Sequence, residues 1–132
     1  MVFADTSFYI AFTSPGDAWH GVAKTFAAGF RGTMVTTEFV LIELANALAV
    51  PRCRDVFVRY HAMLRRDPNT IVVPVSSEWV ERGLALYADR PDKGWSLTDC
   101  ISLAVMRDRG LTEALTSDHH FEQAGHRVLL AR

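Results

Sequence analysis

The chain has 132 residues, 49% of them hydrophobic and 22% charged, and its 14 Lys+Arg against 15 Asp+Glu leave a net charge of −1. That make-up fits one globular domain, residues 1–132, whose core needs no disulfide scaffold, and it carries no global sign of a nucleic-acid binder. Cys53 and Cys100 are isolated, Asp5 interrupts the N-terminus too early for a secretory leader, and no apolar run approaches the ~20 residues of a membrane span, so the expected setting is a reducing cytoplasm.

Val2 to Ala4 is a strand-sized apolar run that ends at Asp5, and Ala18 to Phe30 follows as helix. Met34 to Thr36 is a second strand, and Glu38 to Ala49 and Asp55 to Arg65 are helices. Ile71 to Val75, rich in β-branched residues, is a third strand. Ser77 to Ala88 and Leu97 to Asp108 read as helices, Ala114 to Thr116 as a strand, the residues after Asp118 as a short helical turn, and Arg127 to Leu130 as a last strand. No repeat, low-complexity tract or linker divides the chain. Strands alternating with crossover helices imply a parallel sheet covered on both faces, and such sheets bind ligands beyond the carboxyl ends of their strands.

Four acids stand out against that frame. Asp5 and Asp118 leave the first and fourth strands, although an Asp in that place also caps a helix or forms an Asx turn. Glu43 and Asn46 are the only polar residues in Phe39-Val40-Leu41-Ile42-Glu43-Leu44-Ala45-Asn46-Ala47-Leu48, and at i and i+3 they share a face. That face is either a narrow solvent stripe or a buried carboxylate, which costs several kcal/mol unless a cation meets it. Asp99, three residues after Ser96, either closes a capping box or projects from the helix start into the same crevice. Two carboxylates about 5 Å apart at an effective dielectric near 20 repel by roughly 3 kcal/mol. Four converging acids therefore require protonation or hard divalent cations such as Mg²⁺ or Mn²⁺, which suit phosphodiester hydrolysis by water.

Taken together, Asp5-Thr6-Ser7, the helical Glu43-Leu44-x-Asn46, Ser96-Leu97-Thr98-Asp99-Cys100 and Leu115-Thr116-Ser117-Asp118-x-His120-Phe121 run nearly the full chain. In order and spacing they resemble the PIN-domain nucleases, most closely the single-domain VapC-type toxins of toxin-antitoxin pairs. The resemblance implies a three-layer α/β/α fold with a central parallel sheet of four to five strands and six to seven helices. It implies an endoribonuclease that inhibits translation, with Asp5, Glu43, Asp99 and Asp118 holding Mg²⁺ or Mn²⁺. Thr6 or Ser7 would support the first acid, Thr98 the third, and Asn46 would have a supporting role. A homodimer and a cognate VapB-like antitoxin are implied as partners. A housekeeping PIN ribonuclease, or a PIN-like module acting only through protein contacts, carries the same motifs. An aspartyl phosphatase would want an acid where Ser7 stands, and a receiver would need a late-strand Lys that is absent.

The remaining polar and aromatic residues divide more simply. Only Lys24 and Lys93 are lysines, and Arg52, Arg54, Arg59, Arg65 and Arg66 crowd one stretch that is either a phosphate-binding surface or a solvated helix face; Arg52 and Arg54 are its RNA-binding candidates. Glu38 reads as a helix-start charge favoured by the dipole. His119 and His120 are expected at the helix start beside Phe121, with the two rings pointing apart. Trp19 and Trp79 are expected to pack helices, and Trp95, close before Asp99, is the candidate for stacking on an RNA base.

Overall fold

In the computed structural model, which describes residues 1–130, β1 (Val2–Ala4) is buried along its whole length and runs straight into α1 (Thr6–Thr13). Helix α1 has no local signal, since Thr6-Ser7-Phe8-Tyr9-Ile10 is rich in β-branched and aromatic residues of modest helix propensity. The helix forms because it buries Phe8, Tyr9 and Ala11 under the sheet. Then follow α2 (His20–Gly29), β2 (Met34–Thr37), α3 (Glu38–Ala47), α4 (Pro51–Arg66), β3 (Thr70–Val73), α5 (Ser77–Asp89), α6 (Leu97–Arg109), β4 (Glu113–Leu115), α7 (His119–Gln123) and β5 (Arg127–Val128).

The boundaries that depart from expectation have local causes. Helix α4 starts four residues before Asp55 because Pro51 occupies its first turn, where a missing N–H costs nothing. Strand β3 stops at Val73, since Pro74 cannot donate to a ladder, and the Val75 amide donates instead to Glu38 Oε1 at 2.8 Å. Strand β5 is confined to Arg127–Val128 rather than reaching Leu130. Trp19 and Trp79 are partly buried against the core, as helix-packing residues should be.

The five strands are all parallel, in the order β3-β2-β1-β4-β5. The chain therefore builds outward from β1 to β3, jumps back through α5 and α6, and continues from β4 to β5 on the other side. Right-handed crossovers then place α1 to α4 on one face and α5 to α7 on the other, giving three layers. Strands β1 and β4 are adjacent where the direction of winding reverses, with Ala4 opposite Leu115. The crevice beyond their carboxyl ends is the place where a doubly wound sheet presents residues to a ligand.

Helices α5 and α6 pack closely because Gly83 has no side chain. A Cβ at that position would collide with the Ile101 side chain and stand 3.0 Å from the Ile101 amide nitrogen. Helix α6 ends at Gly110, whose φ of 65° is the left-handed conformation that glycine adopts without steric cost. Gly83→Ala should lower stability by about 1–3 kcal/mol in denaturant unfolding despite alanine's better helix propensity, because the helix axes must separate.

Candidate active site

Asp5 is the residue around which the site is organised. It is 4% exposed, its backbone amide donates to Leu115 O across the β1–β4 pair at 3.2 Å, and its backbone starts α1. Its side chain makes no capping bond to α1, so the simple helix-cap reading does not hold for it. The Oδ2 atom instead accepts from Thr116 Oγ1 at 2.9 Å and from Ser7 Oγ at 3.4 Å. Ser7 and Thr116 hydroxyls are themselves 2.8 Å apart, and the amides of Ser117 and Asp118 donate to them at 3.1 and 3.0 Å. A polar relay of five residues thus joins the end of β1 to the end of β4.

No local motif marks Thr116. The only signal for it is the strand register: with Ala4 opposite Leu115, the next residue on each strand is Asp5 and Thr116. The expected support by Thr6 comes through its backbone amide, while its hydroxyl is buried without a hydrogen-bond partner. Ser7 supports Asp5 as expected. Thr98 makes no hydrogen bond to the acids among the described residues, and Asn46 is exposed.

Asp99 is 8% exposed at the first turn of α6. The capping box and the crevice turn out not to be alternatives. Ser96 Oγ accepts from the Asp99 amide at 3.0 Å and Asp99 Oδ2 accepts from the Ser96 amide at 3.1 Å, so the shorter acid does reach back to the cap. The same Oδ2 also faces His120 Nδ1 at 3.1 Å. Asp118 caps α7 through Oδ1, which accepts from the His120 amide at 2.9 Å and lies 3.3 Å from His120 Nδ1. The N-termini of α6 and α7 therefore meet on one imidazole.

Glu43 is half-buried, between buried Leu44 and the 54% exposed Ile42, and Asn46 on its face is exposed, so α3 has the narrow solvent stripe and Glu43 stands at its edge. The Glu43 charge nevertheless reaches the Asp5 carboxyl, as does that of Asp99. Burial first, then the charges of Asp99 and Glu43, raise the Asp5 pKa from 3.8 to about 7, against the Thr6 amide and the Thr116 hydroxyl that pull it down. No lysine or arginine forms an ion pair with any of the four acids among the described residues.

The histidines correct the expectation that their rings point apart. Their centroids are 4.6 Å apart, both Nδ1 atoms approach Asp118 Oδ1, and ligand atoms of Asp118, His119 and His120 lie within 4.8 Å of one another. His119 is 73% exposed and only 3.8 Å from Asp118, whereas His120 is held inside the site.

Several outlying candidates have structural partners. Trp95 is 5% exposed and donates its indole N–H to Gln123 Oε1 at 3.0 Å, so its ring is a core element and not a stacking platform. Glu38 pairs with Arg65 at 2.7 Å, which ties the start of α3 to the end of α4 and removes both from the site. Arg54 is exposed and donates to the Ala49 carbonyl at 2.8 Å, and Arg52 is exposed on the same first turn of α4.

A sequence profile of the PIN domain matches residues 2–127. The chain is 32% identical over 125 residues, 95% of each protein, to a Mycobacterium tuberculosis protein described as the 23S rRNA-specific endonuclease VapC20. The crystal structure of that VapC20, described as a sarcin-ricin loop cleaving toxin, superimposes with a TM-score of 0.87 at 29% identity, covering 96% of each chain. FitAcB from Neisseria gonorrhoeae shares the fold at a TM-score of 0.70 and 16% identity, over 98% of this chain and 96% of the other.

A carboxyl held at about 7 when folded and 3.8 when unfolded binds more protons in the native state between those values, so metal-free stability falls as pH rises from about 4 to about 7. Asp5→Asn should remove this loss. Urea unfolding in EDTA is expected to show the variant more stable than the parent by up to about 4 kcal/mol at pH 8, with the difference vanishing near pH 4.

Proposed function

The chain belongs to the PIN-domain family, and we propose that within it the protein is a Mg²⁺- or Mn²⁺-dependent endoribonuclease, the toxin of a toxin-antitoxin pair that blocks translation by cutting ribosomal RNA. The observation that carries this reading is the Asp5 carboxyl, buried at the β1–β4 switch point beside two other acidic charges with no lysine or arginine paired to them among the described residues.

The donor set fits a hard dication: Asp5, Glu43, Asp99 and Asp118 offer only oxygens. The unpaired, buried Thr6 hydroxyl adds a further oxygen at the same helix start. Such an ion supplies, when bound, an activated water and neutralisation of phosphate charge. Thr116 and Ser7 orient the Asp5 carboxylate by holding Oδ2. The Ser96 amide holds Oδ2 of Asp99, and the His120 amide holds Oδ1 of Asp118, which leaves Oδ1 of Asp99 and Oδ2 of Asp118 without a hydrogen bond among the described residues. No side-chain nucleophile belongs to the set, which suits attack by water on phosphorus, and the family's mechanism implies products with a 5′-phosphate and a 3′-hydroxyl.

The relative's named target makes a 23S rRNA loop the substrate of choice, since a single-stranded loop can be splayed into the crevice. Arg52 and Arg54 serve as phosphate contacts at the start of α4. A cognate VapB-like antitoxin and a second copy of the chain are the proposed partners, and the cytoplasm, where ribosomes work, is the proposed location.

Incubated with a 23S rRNA fragment containing the sarcin-ricin loop, the purified protein should cut it with Mg²⁺ or Mn²⁺ and leave it intact in EDTA. Asp5→Asn or Asp99→Asn should lose more than about 100-fold, beyond the cost of disturbing a metal's outer contacts. Cleavage that survives EDTA would refute the dication. In filter binding, Arg52→Ala with Arg54→Ala should reduce the slope of log affinity against log salt by about 1–2, and an unchanged slope would place both outside the interface.

A further inference from the structure

His120 has no place in the acidic set itself, yet more of the site's hydrogen bonds pass through it than through any of the acids' other neighbours on α6 and α7. Its backbone amide donates to Asp118 Oδ1 at 2.9 Å, and its Nδ1 stands 3.1 Å from Asp99 Oδ2 and 3.3 Å from Asp118 Oδ1. Facing two carboxylate oxygens, Nδ1 can serve only as a donor, so the imidazole carries its hydrogen there. The other ring nitrogen points the opposite way, toward the loop before α6: a Cβ on Gly94 would stand 4.0 Å from Nε2.

We propose that His120 is a positioning residue of the dication site, its Nδ1–H bridging Asp99 and Asp118 and so deciding which oxygen of each is presented to the ion. The inference rests on the reading of the four acids as a dication site. The bookkeeping of acceptors supports it. Asp99 Oδ2 takes the Ser96 amide and His120, and Asp118 Oδ1 takes the amide and ring of His120, so both oxygens are occupied. The opposite oxygens of the same carboxylates are left as ligands. Without the bridge, two like-charged carboxylates on separate helices have no donor between them, and each is held by its capping amide alone. Outer-shell partners that orient ligands in this way commonly change metal affinity by about 10–100-fold when removed.

The side-chain geometry supplies the test. Asparagine places an amide N–H where His Nδ1 stands, whereas glutamine places it where Nε2 stands. Mn²⁺ binding to RNA-free protein, followed by the loss of the free-ion EPR signal, should weaken by about 10–100-fold in His120→Ala and His120→Gln and stay close to the parent in His120→Asn. Thermal melts in EDTA confirm that each variant is folded. If His120→Ala binds Mn²⁺ as the parent does, or if asparagine and glutamine behave alike, the positioning role is overturned while the dication site stands. If the parent itself binds no Mn²⁺, the functional reading fails and this inference falls with it.

Discussion

Burying the Asp5 carboxyl at the end of β1 costs folding free energy, and the cost is aggravated by the charges of Asp99 and Glu43. A protein selected only for stability would place a neutral residue there, since an uncompensated buried charge is among the most destabilising features a core can carry. The structure contains the arrangement with local means. Thr116, Ser7 and the Thr6 amide donate to or around the carboxyl, which holds it in one orientation without cancelling its charge. Among the described residues no lysine or arginine pairs with any of the four acids, and that is what makes them a candidate centre and not an ion-pair network.

The sheet order puts this carboxyl where it is useful. Because winding reverses between β1 and β4, no crossover helix covers the gap at their carboxyl ends, and Asp5 and Asp118 leave adjacent strands toward the same opening. Helix α6 returns across the sheet to bring the start of its first turn, and Asp99 with it, to that opening. Its close packing on α5 over Gly83 sets how far it can shift. Stability and site geometry are therefore linked through one helix pair.

The local motifs around the acids serve two purposes at once. The capping box of α6 and the Asp118 cap of α7 satisfy helix-terminal amides, as any well-formed helix start does. Each cap also consumes one oxygen of its carboxylate and thereby points the other outward. Capping and ligand presentation are compatible because a carboxylate has two oxygens, and the imidazole of His120 joins the two caps into one unit.

The alternation of strands and helices, the parallel sheet and the four acids were all legible in the sequence, because strand-end position and polar residues in apolar runs are local signals. So was the helix-start role of Glu38, to which the structure adds its pairing with Arg65. Helix α1, Thr116, His120 and the burial of Trp95 were not. Helix α1 is stabilised by what it packs on, against its own propensities. Thr116 meets Asp5 only through the register of two strands 111 residues apart in the chain, and His120 meets Asp99 only when α6 and α7 start side by side. The sequence by itself determined which side chains carry charge and where each leaves its strand or helix. The tertiary structure alone decided which of them face one another, because contacts between residues distant along the chain depend on register and helix docking that no local pattern encodes.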